Sequence, residues 1–142
     1  SRRLDLQEFI LGNRKTAKTD DELVTGLLIP KPSANAFGAF EKLGARRYLV
    51  ISIVMTGVVA EWNEDQRIGK IRIAVGSCSE KSIRLEKLEK ECEGKRMDQI
   101  RIRTEHLENL SPIDDIRAKA DFRLDVVSEL ILRAVRQTSR KR

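Results

Sequence analysis

The spacing of the apolar residues changes once along this chain, close to Ser82. Before that point, short apolar-rich runs are bounded by Pro, Gly, Asn or charged residues, which is typical of strands. After it, apolar residues recur every three or four positions, which is the period of a helix. Strands first and helices afterwards predict an α+β fold, in which helices gather against an antiparallel sheet of about four strands.

Four apolar runs predict the strands of this sheet. The last run is the clearest, because Ile71, Ile73 and Val75 alternate with smaller or charged residues, so that one face is buried. Turn-forming residues at 63–65 separate it from the run before and predict an antiparallel hairpin. The predicted strands cover residues 23–29, 37–43, 51–60 and 70–77.

Three helices are predicted after Ser82. The first carries Leu85, Leu88 and Cys92 on one face, and Gly94 is placed to end it. The second repeats the same pattern and ends before Pro112. The third has two neighbouring apolar rows, which suits a helix packed on a sheet and on other helices. The apolar positions of the second are Met97, Ile100, Thr104 and Leu107, and those of the third are Phe122, Val126, Val127, Leu130, Ile131, Ala134 and Val135.

The length and composition of the chain favour one compact domain. With 142 residues, 40 % of them hydrophobic, there is enough apolar material for a single core. No stretch reaches the roughly 20 apolar residues that cross a bilayer, and the first residues lack the apolar run of a signal peptide. We therefore expect a cytoplasmic protein without a membrane segment, with a domain over residues 1–136 and a basic tail over residues 137–142.

The net charge of +6 raises the alternative of a nucleic-acid-binding module. Most of the excess lies in the last ten residues, and the other charges, as in EKLEKECEGK, alternate in sign like a solvated helix face. A single Trp and a single Tyr also leave little for bases to stack upon. We therefore expect no nucleic-acid partner. The basic residues at the end are Arg133, Arg136, Arg140, Lys141 and Arg142.

Catalytic and metal-binding motifs are absent from the sequence. There is one histidine, no CxxC pair, no glycine-rich phosphate loop and no GxSxG motif. His106 is expected at the surface, and Asp114 and Asp115 are expected to favour a helix N-terminus instead of forming a catalytic pair. Cys78 and Cys92 are interpreted as structural thiols in a reducing compartment. We therefore predict no catalytic residue and no metal site in this chain.

Three polar motifs fit functions beyond packing. Residues 12–23, GNRKTAKTDDEL, place Lys15 in a loop where it could face an anion, although a solvated lysine is the simpler interpretation. Residues 40–47, FEKLGARR, gather cations around Gly44, where they could meet an electron-accepting ring or form an ordinary exposed strand end. Residues 111–123, SPIDDIRAKADFR, are most simply a capping and salt-bridge arrangement.

In this order, the motifs resemble the C-terminal domain of the FAD-binding medium subunit of molybdenum hydroxylases, the xanthine, nicotinate and carbon monoxide dehydrogenase class. The similarity spans roughly residues 3 to 136 and includes a fourth stretch, IAVGSCSEKSIRL. The matching positions are Phe9, Gly12, Thr16, Glu22, Leu23, Ile29 and Pro30 in the first motif and the strand after it, and Lys42, Gly44, Arg46, Ile51 and Ser52 in the second.

The resemblance implies a domain of a multi-subunit oxidoreductase of the xanthine dehydrogenase type. In such enzymes a molybdopterin site hydroxylates the substrate, and electrons pass through [2Fe-2S] clusters to FAD. Most FAD contacts in the family come from N-terminal subdomains that this chain lacks, so the fragment alone is not expected to be catalytic. The resemblance also implies that the domain closes over part of the flavin. The implied partners are the N-terminal FAD-binding domain of the same subunit, an iron–sulfur subunit and a molybdopterin subunit.

Carrying the motifs across residue by residue implies four flavin-side positions. Lys42 lies near the isoalloxazine ring, Val24 contacts the flavin at a strand end, Lys15 does so from the polar loop, and Arg46 supports the ring edge. Val50 stands where many members have an aspartate, so no flavin contact of that acid is transferred. The remaining alternative is a structural assembly domain without cofactor contact, for which Lys42 would be irrelevant to the flavin.

Overall fold

A computed structural model describes residues 1–139, which divide into one compact unit, Ser1–Pro32, and a second that begins at Ser33. The first unit contains a single helical turn, α1, and a two-stranded antiparallel sheet of β1 and β2. Arg2 closes the unit through a 2.6 Å bond from its Nε to Glu22 Oε1. The elements are α1 Leu6–Phe9, β1 Ile10–Gly12 and β2 Lys15–Thr16.

The first unit buries almost nothing. Gly12 is the one buried residue among residues 1–32. The strand predicted at residues 23–29 is wrong, because a strand requires a neighbouring backbone to bond with and no strand of the described chain pairs with this run. Its leucines and its isoleucine are 77–85 % exposed, namely Leu23, Leu27, Leu28 and Ile29.

The second unit is built on a four-stranded antiparallel sheet in the order β3-β4-β5-β6. The sheet confirms the α+β prediction, but its fourth strand is the short β6 and not residues 23–29. The hairpin predicted at residues 63–65 is confirmed, since Asn63 Oδ1 accepts the backbone N–H of Arg67 at 2.8 Å between the paired strands β4 and β5. The strands are β3 Ala36–Gly44, β4 Ser52–Trp62, β5 Ile68–Gly76 and β6 Ile83–Arg84.

The first and third predicted helices are confirmed as α2 and α4, but the second is wrong. It is broken into a 3-10 turn and the single turn α3, with residues 100–103 non-helical between them. Ile100 is buried and Ile102 half-buried, while Arg101 and Arg103 are exposed, so this stretch has the two-residue period of extended chain. The elements are α2 Glu86–Cys92, the 3-10 turn Met97–Gln99, α3 Thr104–Leu107 and α4 Ala120–Ser139.

The long helix α4 passes the predicted domain boundary at residue 136 and reaches Ser139. Arg140, Lys141 and Arg142, which belong to the predicted basic tail, lie outside the described residues. Arg133, one of the basic residues among the last ten, is paired with Glu129 at 2.8 Å. Among residues 1–139, no helix has both the length and the apolar composition needed to cross a bilayer.

The core lies between α4 and one face of the sheet. Ile73 and Val58 are partners in the register of β4 and β5, so the alternating apolar residues of both strands share this face. They pack with the apolar rows of α4, in which Ile131 is fully buried. Trp62 at the end of β4 donates its indole N–H to Thr138 Oγ1 of α4 at 3.1 Å. The opposite face of the sheet leaves Phe40 exposed.

A buried carboxylate secures the edge of the sheet. Glu89 on α2 is 3 % exposed, which corrects the interpretation of its segment as a solvated helix face. Its Oε1 accepts the backbone N–H of Ile73 at 2.8 Å and Arg84 Nε at 3.0 Å, and Arg84 Nη2 bonds its other oxygen. Glu89 therefore supplies the acceptor for the Ile73 N–H, just beyond the last residue pair of β5 with the short β6.

Both thiols are buried, and we expect neither to react in the folded protein. Cys78 lies in the bend after β5 and Cys92 on the apolar face of α2. Burial raises the pKa of each to about 11, so that only about one thiol in a thousand is ionised at pH 8. A thiol-titration reagent should detect two cysteines in denaturant and neither without it; rapid labelling of native protein would contradict this packing.

Candidate functional site

The chain leaves β3 through a sharp corner that contains the second polar motif. We call residues 42–51 the strand-end corner. The register with β4 shifts between Leu43 and Gly44, and the loop that follows returns close to the strand. A Cβ at Gly44 would lie 2.4 Å from Val50 Cγ1, which is closer than side chains pack. Gly44 is therefore required by this close approach of the loop to the strand.

Two cations hold the loop of the strand-end corner in place. Lys42 Nζ donates to the carbonyl oxygen of Val50 at 2.8 Å, and Arg46 Nη2 donates to that of Leu49 at 2.6 Å. Leu49 has a φ of +48° and is 93 % exposed, a conformation that costs about 1 kcal/mol or more for a leucine. The two side chains thus stabilise a strained loop and do not simply display charge.

Lys42 keeps donors for a further acceptor. An ammonium group carries three N–H donors, and the bond to Val50 uses one of them. The Lys42 side chain is exposed. It lies on the outer face of β3, away from α4, because successive side chains of a strand alternate between faces and that of the neighbouring Glu41 contacts Gln137 of α4. The corner therefore presents a fixed cation to whatever approaches this face.

A second arginine meets the corner from a distant part of the sequence. Arg117 lines a shallow pocket together with Arg46 and with apolar residues of the loop. The second and third polar motifs are therefore brought together, which the sequence analysis did not predict. Arg117 was not proposed as a site residue, since nothing in its local pattern distinguishes it from an exposed arginine. The other lining residues are Ala45, Leu49, Val50 and Ile51.

Asp115 fixes Arg117 from behind. Its Oδ1 accepts the backbone N–H of Arg117 at 2.8 Å and of Ala118 at 3.2 Å, and its Oδ2 accepts Arg117 Nη1 at 2.6 Å. These bonds, the first above all, lower the pKa of the Asp115 carboxyl to about 2. Asp114 Oδ1 accepts the N–H of Ala120, the first residue of α4, at 2.7 Å. The capping and salt-bridge interpretation of this motif is therefore confirmed.

The other two implied flavin-side residues lie in the first unit. Lys15 is exposed in the two-residue strand β2. Val24 is 51 % exposed and does not mark a strand end, because residues 23–29 form no strand. Of the four residues, the structure brings Lys42 and Arg46 together at one corner.

His106 is buried, which corrects its predicted place at the surface. Its Nδ1 accepts the N–H of Arg103 at 3.0 Å, so Nε2 carries the proton and donates to Glu91 Oε2 at 2.9 Å. Lys95 and Arg103 bond the same carboxylate and lower the pKa of Glu91 to about 2, with Lys95 contributing most. Glu91, Glu105 and His106 hold ligand atoms within 4.8 Å of one another. Since Glu105 Oε1 accepts Arg103 Nε at 2.8 Å, all three are engaged in one structural network.

Sequence comparison with known proteins identifies a matching family and a relative. The profile of the CO dehydrogenase flavoprotein C-terminal domain matches residues 39–138. The nicotine 6-hydroxylase medium subunit of Paenarthrobacter nicotinovorans is 30 % identical over 138 residues, which cover 94 % of this chain and 47 % of that protein. The chain thus spans about half the length of the curated relative it matches.

Solved structures share the fold at lower identity. Reconstituted CO dehydrogenase from Oligotropha carboxidovorans superposes with a TM-score of 0.82 at 20 % identity, over 96 % of this chain and 48 % of that one. Quinoline 2-oxidoreductase from Pseudomonas putida 86 gives a TM-score of 0.75 at 21 % identity, over 93 % of this chain and 46 % of that one. The cyanide-inactivated Cu,Mo-CO dehydrogenase gives 0.80 at 20 % identity, over 94 % and 47 % of the two chains.

Proposed function

The chain belongs to the CO dehydrogenase flavoprotein C-terminal domain family of molybdenum hydroxylase medium subunits, and we propose that its strand-end corner closes over the flavin of such a subunit. The family membership confirms the resemblance found in the sequence. The observation that carries the proposal is the clamp on the loop, in which Lys42 and Arg46 hold an exposed, strained turn. Backbone strain of this kind collects at functional sites.

The residues of the corner fit one edge of a flavin ring. FAD, when bound, supplies the redox chemistry. Lys42 offers a cation with donors to spare, which would bond an acceptor atom at the ring edge and favour negative charge there. The apolar side chains of Val50 and Ile51 line the shallow pocket of the corner, against which a flat group would lie. The corner lacks a glycine-rich cradle for the pyrophosphate, so we propose that most of FAD is held by the N-terminal part of the subunit.

The first unit supports the proposal of a polypeptide partner. Its apolar run at residues 23–29 is exposed on both sides of the chain and stays unpaired within the described residues. Exposed apolar surface of this extent marks an interaction site. We propose that the run docks on the N-terminal FAD-binding domain and that Val24 and Lys15 reach the flavin there. The iron–sulfur subunit, with its [2Fe-2S] clusters, and the molybdopterin subunit are the proposed further partners in an enzyme of the xanthine dehydrogenase type.

Replacing Lys42 by alanine tests the flavin-side assignment. In the flavoprotein formed by this chain and the FAD-binding domain, we expect less bound FAD and a flavin reduction about tenfold slower, because a charged hydrogen bond is lost. Lys70→Ala is the matched control, since Lys70 is also exposed on the sheet and should leave both quantities unchanged. Wild-type FAD content and reduction kinetics in Lys42→Ala would favour a structural domain without cofactor contact.

A further inference from the structure

A buried arginine lies directly behind the strand-end corner. Arg123, near the start of α4, is 2 % exposed. Its Nη1 donates to the carbonyl oxygens of Ile53 in β4, at 2.5 Å, and of Ser77 after β5, at 3.1 Å. Its Nη2 donates to Asp115 Oδ1 at 2.7 Å. One guanidinium therefore ties three separate segments to α4.

An apolar residue would serve the core better than this arginine. Asp115 is the carboxylate that balances the charge of Arg123, and Nε of Arg123 is buried without a hydrogen bond to any described residue. Burying a guanidinium with an unmatched donor costs free energy, whereas a well-packed apolar side chain of similar volume avoids that cost. The property that arginine adds is a set of directed hydrogen bonds.

Two of the three acceptors lie next to, or hold, residues that line the corner pocket. Ile53 lies where the loop rejoins the sheet, so its bond to Arg123 fixes the base of the loop. Asp115 holds Arg117 through its other oxygen, and Arg117 lines the pocket together with Arg46. The bonds of Arg123 therefore set the distance between the loop and the Arg117 guanidinium.

The third hydrogen bond of Arg123 stabilises a strained turn. Ser77 has a φ of +65°, in the left-handed region that serines rarely occupy. Its carbonyl oxygen accepts a hydrogen bond from Arg123, which holds the exit of β5 in that conformation. Strained backbone persists where its surroundings fix it in this way.

We propose that Arg123 is a positioning residue of the strand-end corner, which sets the Arg117 guanidinium and the base of the loop in place beside the flavin-facing Lys42. It touches neither cofactor nor substrate and acts through Asp115 and Ile53. Its effect on the flavin rests on the proposed function, whereas the positioning itself does not.

Amide hydrogen exchange and the visible circular dichroism of the flavin test this role together. Both are measured on the flavoprotein formed with the FAD-binding domain, for Arg123→Met and for the control Arg133→Met on the same helix. Arg133 has a side chain that is 58 % exposed, and among residues 1–139 it bonds Glu129 alone. In Arg123→Met we expect amides of residues 44–53 and 114–118 to exchange about tenfold faster, with unchanged rates in the later turns of α4.

We also expect the flavin dichroism to change in Arg123→Met as it does in Lys42→Ala, and to stay unchanged in Arg133→Met. If Arg123→Met does not fold, Asp115→Asn replaces it. The asparagine keeps an acceptor for the backbone N–H groups of residues 117 and 118 but sets an amide donor against Arg117. Because a neutral amide oxygen is a weaker acceptor than a carboxylate, the variant should also speed exchange at residues 114–118 and change the dichroism.

Each of the other outcomes overturns one part of this proposal or the proposed function. Exchange that rises equally over α4 and all four strands, or that rises nowhere, refutes the positioning role. Local acceleration with a flavin signal that responds to Lys42→Ala but not to Arg123→Met refutes the effect of Arg123 on the flavin. Local acceleration with a flavin signal that responds to neither variant refutes the proposed function and supports the positioning role alone.

Discussion

Replacing Ile131 by alanine is expected to lower the free energy of unfolding by about 4 kcal/mol. Ile131 is fully buried in the middle of α4, where the helix packs on β3 and β4. The change removes three carbon atoms from a closely packed layer and leaves a cavity that the sheet cannot fill. Urea denaturation followed by the fluorescence of Trp62 measures the loss, because this single tryptophan is buried at the same helix–sheet contact.

The same chemical change at the surface is the matched control. Ile116 is 99 % exposed, so Ile116→Ala should change the free energy of unfolding by less than about 0.5 kcal/mol. Equal stability of the Ile131→Ala and Ile116→Ala proteins would contradict the packing of α4 on the sheet.

Replacing Glu89 by alanine is expected to cost about 3 kcal/mol. The change leaves the N–H of Ile73 without its acceptor and deprives Arg84 of its carboxylate partner at the edge of the sheet. A buried donor without a partner loses the hydrogen bond and keeps its desolvation penalty. Thermal and urea denaturation should both report the loss.

Glu86→Ala on the same helix is the control for helix propensity and charge, since Glu86 is exposed. We expect it to change stability by less than about 0.5 kcal/mol. If Glu89→Ala were as stable as Glu86→Ala, the carboxylate would not be the acceptor that holds the edge of β5.

Local periodicity was sufficient to predict the parts of the fold that bury one face of a regular element. Ile71, Ile73 and Val75 alternate along β5, and Val127, Ile131 and Val135 recur along α4, so each element indicates its own type and buried side. The hairpin between β4 and β5 followed from its turn residues for the same reason.

Elements that depend on a distant partner were not predictable in this way. Residues 23–29 are apolar enough for a strand, but a strand forms only beside another backbone. His106 is buried because Glu91, fifteen residues earlier, accepts a hydrogen bond from its Nε2. Glu89 is buried because its Oε1 accepts the backbone N–H of Ile73 in the middle of β5. In each case the outcome is set by a tertiary contact that the local pattern does not contain.

The candidate site was likewise predictable only in part. The motif around Gly44 placed Lys42 and Arg46 at one strand end, and the structure has them there. Their bonds to the carbonyl oxygens of Val50 and Leu49 depend on how the loop returns, which spacing does not specify. The approach of Arg117 depends on the packing of α4 and was missed entirely.

The structure of this chain assembled with the FAD-binding domain and FAD would test the central claim most directly, through the distance from Lys42 Nζ to the flavin ring. We expect Nζ within hydrogen-bonding reach of the isoalloxazine edge, at about 3 Å, with the strand-end corner covered. A flavin bound at another surface, with Lys42 left in solvent in the assembled protein, would contradict the account.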